Sequence, residues 1–301
     1  MATTHLCNLD GVILPEADTR IPVLDRGFLF GDSVYEVIRT RRGELFAWRE
    51  HLERLRGSAA GIALELDLDD RAVLRRILAT LTAAGNADSY VRIIATRGAG
   101  TAPNIDLATA TGRPCWVILV RPLPAPPPPS RLVVVDRLRN DRRALDPATK
   151  SGNYLNNVLG LAEARRAGGT DCVLLNAQGH VTEASTANLF ALLGGTFVTP
   201  PLQAGILAGI TRALAVDFLR ARGERVAERD LTATDLRAAD ELFLTSTLRD
   251  IAPVTHLDGR ALHGGAPGPR GVVLAAAFAA HCDQLATTRD GPAARRLADS
   301  G

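Results

Sequence analysis

The apolar residues of this chain follow two rhythms. In some stretches they alternate with polar residues, as on a half-buried strand; in others they recur every three to four residues, as on one face of a helix. Leu6–Leu9 and Val12–Leu14 flank an Asp10-Gly11 turn and predict a hairpin. Strands are predicted at Tyr35–Arg39, Tyr90–Thr96 and Cys115–Val120. Helices are predicted at residues 49–60, where Leu52, Leu55 and Ala59 share a face, and at residues 68–84, which Gly85-Asn86 terminates. The segment Gly98–Pro114 is a loop rich in Gly, Ala, Thr and Pro, of the kind that covers a site.

Arg121–Ser130 carries six prolines in ten residues. Such a segment suits neither a central strand nor a helix interior and reads as a semi-rigid spacer, so residues 121–130 are expected to link two domains, residues 1–120 and 131–286. The pattern then resumes with strands at Leu132–Val135, Cys172–Leu175, Val181–Ser185, Asn188–Leu193, Thr196–Thr199, Arg225–Glu228 and Glu241–Thr245. Helices are expected at residues 154–167, 212–222, 233–238 and 271–284. The small and polar residues 287–301 read as a disordered tail.

Composition narrows the function classes. The 301 residues are 46% hydrophobic and 23% charged with a net charge of +2, which describes a globular chain with no basic stripe for nucleic acid. No apolar run is long enough to span a membrane and no signal peptide is evident. Cys7, Cys115, Cys172 and Cys282 are far apart, as in a reduced, cytoplasmic protein. No His, Cys and carboxylate cluster has metal-ligand spacing, so no metal is expected.

Of the 35 Lys and Arg residues only Lys150 is a lysine. An arginine stays charged, whereas a lysine in the right surroundings supplies a neutral amine nucleophile. Scarcity alone leaves Lys150 equally readable as a surviving surface lysine. Glu183, at a strand end among Thr182, Ala184 and Ser185, is by itself an ordinary exposed or paired carboxylate; its functional reading is a partner for a protonated pyridine ring. Gly209-Ile210-Thr211 opens a helix and Ser246-Thr247 follows a strand, and both turns offer amides and hydroxyls to an anion such as phosphate. Either turn alone is no more than a cap.

Together these features resemble the class IV aminotransferases, pyridoxal 5′-phosphate enzymes of fold type IV. The family includes branched-chain and D-amino acid aminotransferases, (R)-selective amine transaminases and aminodeoxychorismate lyases. The resemblance spans about residues 5–280 and rests on motifs in register: Asp25-Arg26-Gly27, Phe30-Gly31-Asp32, Tyr35-Glu36, His51–Leu55, Thr96-Arg97-Gly98, Lys150 with Asn153-Tyr154-Leu155, Val181–Ser185 with Asn188-Leu189-Phe190, Gly209–Arg212, and Asp240-Glu241 with Ser246-Thr247. It implies an α+β protein with a small α/β N-terminal domain and a larger C-terminal pseudo-barrel domain. It implies that Lys150 forms a Schiff base with the cofactor and moves the proton, that Glu183 meets the ring nitrogen, and that Tyr154 meets the ring hydroxyl. Arg54, Ile210, Thr211, Ser246 and Thr247 are implied to hold the phosphate, and Phe30, Tyr35, Val37, Tyr90, Arg92 and Leu248 to face the substrate. A homodimer is implied as well, with the loop 98–114 as the candidate to reach the partner's site.

The substrate signals divide. Tyr90-Val91-Arg92 resembles the Tyr-x-Arg strand of branched-chain aminotransferases, whereas Tyr35-Glu36-Val37 is closer to the D-amino acid enzymes. Those enzymes carry an Arg-x-His carboxylate trap shortly after Thr-Arg-Gly, and Ala99–Asp106 here contains neither residue. The expectation is transfer from an apolar L-amino acid to a 2-oxo acid. D-amino acid or (R)-amine transamination and aminodeoxychorismate lyase activity stay open, as does a non-catalytic cofactor-binding protein of the same fold.

Overall fold

A computed structural model describes residues 5–110 and 112–299. The chain divides into two units, the first built from residues up to Ala125 together with Thr149–Asn153 and the segment from Cys282 onward, the second from Pro126–Ala148 and Tyr154–His281. The division falls at Ala125 and Pro126, within the proline-rich segment.

In the first unit, strands β1 (Leu6–Leu9), β2 (Val12–Pro15), β3 (Ser33–Arg41), β4 (Glu44–Leu45), β5 (Ser89–Thr96) and β6 (Cys115–Pro122) form one sheet in the order β2-β1-β6-β5-β3-β4, antiparallel throughout. Its residues alternate between faces. Val34, Ile38, Val91, Ile93, Ile118 and Val120 pack with Leu52 and Leu55 of helix α2 (Trp48–Gly61) and Val73, Leu74 and Ile77 of helix α3 (Asp70–Ala84) in one core. A short helix α1 (Arg26–Phe30), which periodicity does not reveal, is capped by the Asp25 carboxylate and closed by Gly31 at φ 68°. Arg121 and Pro122, expected in the linker, instead end β6 opposite Tyr90 and Ser89. Pro122 lies beyond the last β1 partner, Val120, so its missing N–H leaves no ladder bond unmade.

The second unit carries a nine-stranded mixed sheet: β7 (Ser130–Leu138), β8 (Asp171–Leu175), β9 (Val181–Ala184), β10 (Asn188–Leu193), β11 (Thr196–Thr199), β12 (Arg225–Glu228), β13 (Glu241–Ser246), β14 (Asp250–Leu257) and β15 (Arg260–Ala261). The order is β12-β11-β10-β13-β14-β7-β8-β9, with β15 added to β14. The sheet curls, and the tight connection in which Ala184 N donates to Ala187 O brings the end of β9 beside the start of β10. Leu132, Val173, Val181, Leu189, Leu244 and Val254 fill the core. Helices α4 (Leu155–Arg166), α5 (Ile210–Ala221), α6 (Ala233–Ala238) and α7 (Pro269–Leu285) complete the elements up to residue 285, and the chain passes into the first unit within α7.

The tail corrects an expectation. Residues 286–290 form a π-helical turn and Gly291–Asp299 form helix α8, not a disordered end. Ala293, Ala294 and Leu297 pack on the first unit's core, and the Asp290 carbonyl accepts the Trp48 indole N–H at 2.9 Å. Apart from Leu297, the side chains this tail packs on that core are alanines, which a reading of hydrophobic strength underrates although they let a helix approach closely.

Candidate active site

Lys150 belongs to a segment that completes the sheet of the first unit. β4 covers only Thr40 and Arg41 of β3, so the earlier part of that edge would otherwise be open. Residues 149–153 occupy it: Tyr35 N donates to Lys150 O at 3.0 Å, Gly152 N donates to Ser33 O at 2.8 Å, and Ser151 bridges Val34. Lys150 N donates to Ser58 Oγ on α2 at 3.0 Å. The backbone of Lys150 is thus pinned at both its N–H and its carbonyl. Its Nζ lies 4.3 Å from the centre of the Tyr35 ring, and Arg92 Cζ lies 4.0 Å from the same centre.

β3 sends successive residues to opposite faces. Tyr35 and Val37 share a face with Arg92 and Tyr90, because Val37 pairs with Arg92 and Arg39 with Tyr90. The other face receives Glu36, which is 0% exposed. His51 and Arg54, three residues apart on α2, reach it together. Arg54 donates through Nε to Oε1 at 2.7 Å and through Nη2 to Oε2 at 2.8 Å, and His51 Nδ1 lies 2.7 Å from Oε2. Burial pushes the Glu36 carboxyl upward, but the Arg54 guanidinium and His51 outweigh it and hold the group at about 2. Burial lowers His51 below the ordinary histidine value despite the attraction of Glu36. The ionised Glu36 is an acceptor only, so a neutral His51 must carry its proton on Nδ1. Phe30 ends α1, with Arg26 Cζ 5.2 Å from its ring centre. Arg26 is itself buried and ties down the loop 98–114, donating to the carbonyls of Asn104 at 2.7 Å and Ile105 at 2.9 Å.

In the second unit Glu183 is a buried carboxylate in β9. Arg139 donates through Nε to its Oε1 at 3.0 Å, and Oε2 accepts from Leu207 N at 3.0 Å and Asn188 Nδ2 at 3.2 Å. Asn188 also donates to Leu207 O at 3.0 Å, joining the carboxylate to the turn before α5. That turn must be glycine at 209, since a Cβ there would lie 1.8 Å from Asn188 Oδ1. Gly209 caps α5 without a side chain, so no side-chain oxygen of the N-cap meets the first-turn N–H groups. Asn188 pairs with Thr245, which places the following Ser246-Thr247-Leu248 turn at the same end of the sheet. Asp171 braces this end: its Oδ1 accepts from Ser185 N at 3.1 Å and its Oδ2 from Arg249 Nη1 at 2.9 Å. Tyr154 begins α4, which Asn157 ties to the Ser185 carbonyl at 2.9 Å.

The first unit therefore carries Tyr35, Val37, Tyr90 and Arg92 on one sheet face with Lys150 Nζ over the Tyr35 ring, and Arg54 at Glu36 on the other face; Tyr154, Glu183, Ile210, Thr211, Ser246, Thr247 and Leu248 belong to the second unit. Sequence reasoning missed the supporting residues Arg139, Asp171 and Arg249, and it gave no role to Glu36, His51 or Asn188. Arg139 stands among Arg137, Arg142 and Arg143, and nothing in that run marks it as the buried one. The first unit offers an anchored amine and a fork-held guanidinium, and the second offers a buried carboxylate acceptor and a helix start without a side-chain cap. Taken singly, an amine suits an aldehyde, a carboxylate acceptor suits a protonated ring nitrogen, and the guanidinium and the helix start suit a phosphate, the groups of pyridoxal 5′-phosphate. Among the described residues no group of His, Cys, Asp and Glu could hold a metal ion.

Comparison with known proteins agrees. The profile of the family described as "Amino-transferase class IV" matches residues 33–257. A putative branched-chain-amino-acid aminotransferase of Methanocaldococcus jannaschii is 36% identical over 85% of this chain and 88% of its own length. A D-alanine aminotransferase of Bacillus licheniformis is 32% identical over 86% of this chain and 91% of its own. Among solved structures, the branched-chain amino acid aminotransferase of T.th. with pyridoxamine 5′-phosphate superposes with a TM-score of 0.87 at 25% identity, covering 94% of this chain and 96% of that one.

Proposed function

The chain belongs to the class IV aminotransferases, enzymes that use pyridoxal 5′-phosphate, and we propose that Lys150 bonds the cofactor aldehyde and that the amino donor is an L-amino acid with an apolar side chain. The observation that carries the Lys150 assignment is its double backbone anchor, Tyr35 N to Lys150 O and Lys150 N to Ser58 Oγ, each at 3.0 Å. A surface lysine needs no such support.

When bound, the cofactor supplies an electrophilic aldehyde and a protonated ring that draws electrons from the substrate Cα. The Lys150 amine would serve as the base that takes the substrate Cα proton and as the acid that returns it. Glu183 would accept the ring N–H, and its donors Arg139, Asn188 and Leu207 N hold the carboxylate in place. Tyr154 would hold the ring hydroxyl oxygen, and Arg54, Ile210, Thr211, Ser246 and Thr247 would hold the phosphate. A 2-oxo acid accepts the amino group in the second half of the cycle.

Support for the donor class comes from the first unit's open sheet face, with Phe30 and Leu248 assigned to the substrate by family resemblance. Tyr90 and Arg92 offer a hydroxyl and a cation for a carboxylate, and Val37 and Ile94 offer apolar surface beside them. The stretch 99–111 bears no cationic side chain, and the guanidinium of Arg26 is directed to its carbonyls, so this loop carries no carboxylate trap of its own. A second reading, D-amino acid or (R)-amine transamination, draws on Tyr35-Glu36-Val37. The test follows decay of the cofactor's visible absorbance on mixing with apolar L-amino acids, D-amino acids and (R)-amines. Fastest decay with apolar L-amino acids supports the assignment, and faster decay with either other class overturns it. Pyruvate released from aminodeoxychorismate without an acceptor would mark a lyase.

We also read the enzyme as a cytoplasmic homodimer. Phe28 at 65% and Ile105 at 78% exposure on the first unit, and Leu155 at 67% on the second, are apolar surfaces of the kind that subunits cover. None of the four cysteines forms a disulfide, which suits a reducing compartment, and among the described residues no helix is long and apolar enough to cross a membrane.

A further inference from the structure

We propose that Glu36 and His51 are positioning residues that fix the Arg54 guanidinium and thereby set the affinity for the cofactor's phosphate; the proposal rests on the reading of Arg54 as a phosphate ligand.

Glu36 sits where the strand pattern calls for an apolar residue. Its neighbours on the same face, Val34 and Ile38, are core residues, and all three are 0% exposed. Burying a carboxylate among them carries a desolvation cost, and a well-packed apolar side chain of similar volume would serve stability at least as well. The carboxylate must therefore be explained by what it holds. It holds Arg54 by two parallel N–H···O bonds, a fork that fixes the plane of the guanidinium as well as its position. His51 donates to the oxygen that Arg54 Nη2 also reaches, so the carboxylate cannot swing away without losing a second partner.

The sequence of α2 shows the selectivity of this arrangement. Arg49, Glu50, Glu53, Arg54 and Arg56 look alike as charges on one helix. Glu53 points to solvent and the Arg56 side chain is 38% exposed, whereas the Arg54 side chain is drawn in to 13%. An arginine held in place before its ligand arrives loses little rotamer freedom on binding, and that is the gain of preorganisation. The same elements carry Lys150. Consecutive residues of β3 hold the two functional groups, Tyr35 through the Lys150 carbonyl and Glu36 through Arg54. Consecutive turns of α2 do the same, since Ser58 accepts from Lys150 N and Arg54 lies four residues earlier. The Glu36 fork thus fixes the guanidinium relative to the lysine that bonds the aldehyde.

The test titrates the full-length enzyme, freed of cofactor, with pyridoxal 5′-phosphate and with pyridoxal, which lacks the phosphate, reading bound ligand by absorbance. Glu36→Gln keeps the shape and removes the charge. The expected result is a Kd for pyridoxal 5′-phosphate raised about tenfold or more, the scale of a lost charge-assisted hydrogen bond, with the Kd for pyridoxal unchanged. Unchanged affinity for both ligands, or an equal loss for both, overturns the proposal. Arg54→Ala, run beside it, must abolish the advantage of the phosphorylated ligand. If it does not, the phosphate reading of Arg54 itself fails, whereas a normal Arg54→Ala result with an unaffected Glu36→Gln defeats the positioning role alone. Should Glu36→Gln not fold, His51→Gln decides the matter: a smaller but phosphate-selective loss supports the proposal, and no loss or an equal loss for both ligands refutes it.

Discussion

Arg139 donates its Nε–H to Oε1 of Glu183 at 3.0 Å, in a setting where both residues are buried. The arginine follows β7 directly and is anchored by its own backbone, Arg139 N donating to Leu175 O at 2.8 Å. A carboxylate bound in this way is fixed in position as an acceptor.

Removing one partner of a buried ion pair strands the other. Arg139→Leu is therefore expected to destabilise the enzyme by about 3 kcal/mol or more. It is also expected to weaken cofactor binding and to alter the bound cofactor's absorption spectrum, because the carboxylate proposed to meet the ring nitrogen loses its charged donor. Urea unfolding and an absorption spectrum taken together check this. A variant with the parent's stability and spectrum would show that the pair does not tune Glu183.

Acid should act on the first unit in two stages. Burial lowers His51 below the ordinary histidine value, and Glu36 is held at about 2 against the upward push of its own burial. Both folded values are depressed, so the unfolded chain takes up protons first and stability falls as pH falls. The His51 contribution is complete above about pH 6.5 and begins to be lost below it, and the Glu36 contribution is lost below about pH 4.3 as the pH approaches its folded value. Urea unfolding across this range should show the upper stage abolished in His51→Gln. An identical pH profile in that variant would contradict the assignment.

The C-terminal segment is expected to be part of the folded unit. Asp290 Oδ2 accepts from Ala47 N at 2.8 Å, at the start of α2, where Ala47 stands at φ 53° and offers no capping side chain. Deleting residues 287–301 removes that acceptor, the partner of the Trp48 indole and the cover of Ala293 and Ala294. The truncated chain should lose about 3 kcal/mol or more of stability, the sum of buried hydrogen bonds left unmade and apolar surface exposed. A truncation that melts with the full chain would show that the tail contributes nothing to the fold.

The sequence makes some of this legible and hides the rest for physical reasons. The strand at Tyr90–Thr96 announces itself because alternation and β-branched residues act locally. α1 is too short for any period to appear, and β14 contains Pro253, which pairs with Phe243 although proline argues against a strand. Among the site residues, Lys150 stands out by chemistry and Glu183 by its motif. Glu36 and Arg139 do not, because a buried ion pair is a long-range contact and each member looks like any other charge until the fold brings its partner. The placement of Thr149–Asn153 on the edge of β3 is of the same kind: no local pattern tells a pairing segment from a loop.

The central claim is that Lys150 bonds the cofactor. As the only lysine, it leaves the chain terminus as the only other primary amine, so borohydride reduction of the holoenzyme followed by peptide mass mapping gives a direct answer. The predicted result is a single phosphopyridoxyl adduct on the peptide containing Lys150, absent from Lys150→Arg, a variant that should be colourless and inactive. An adduct elsewhere, or transaminase activity retained by Lys150→Arg, would contradict it.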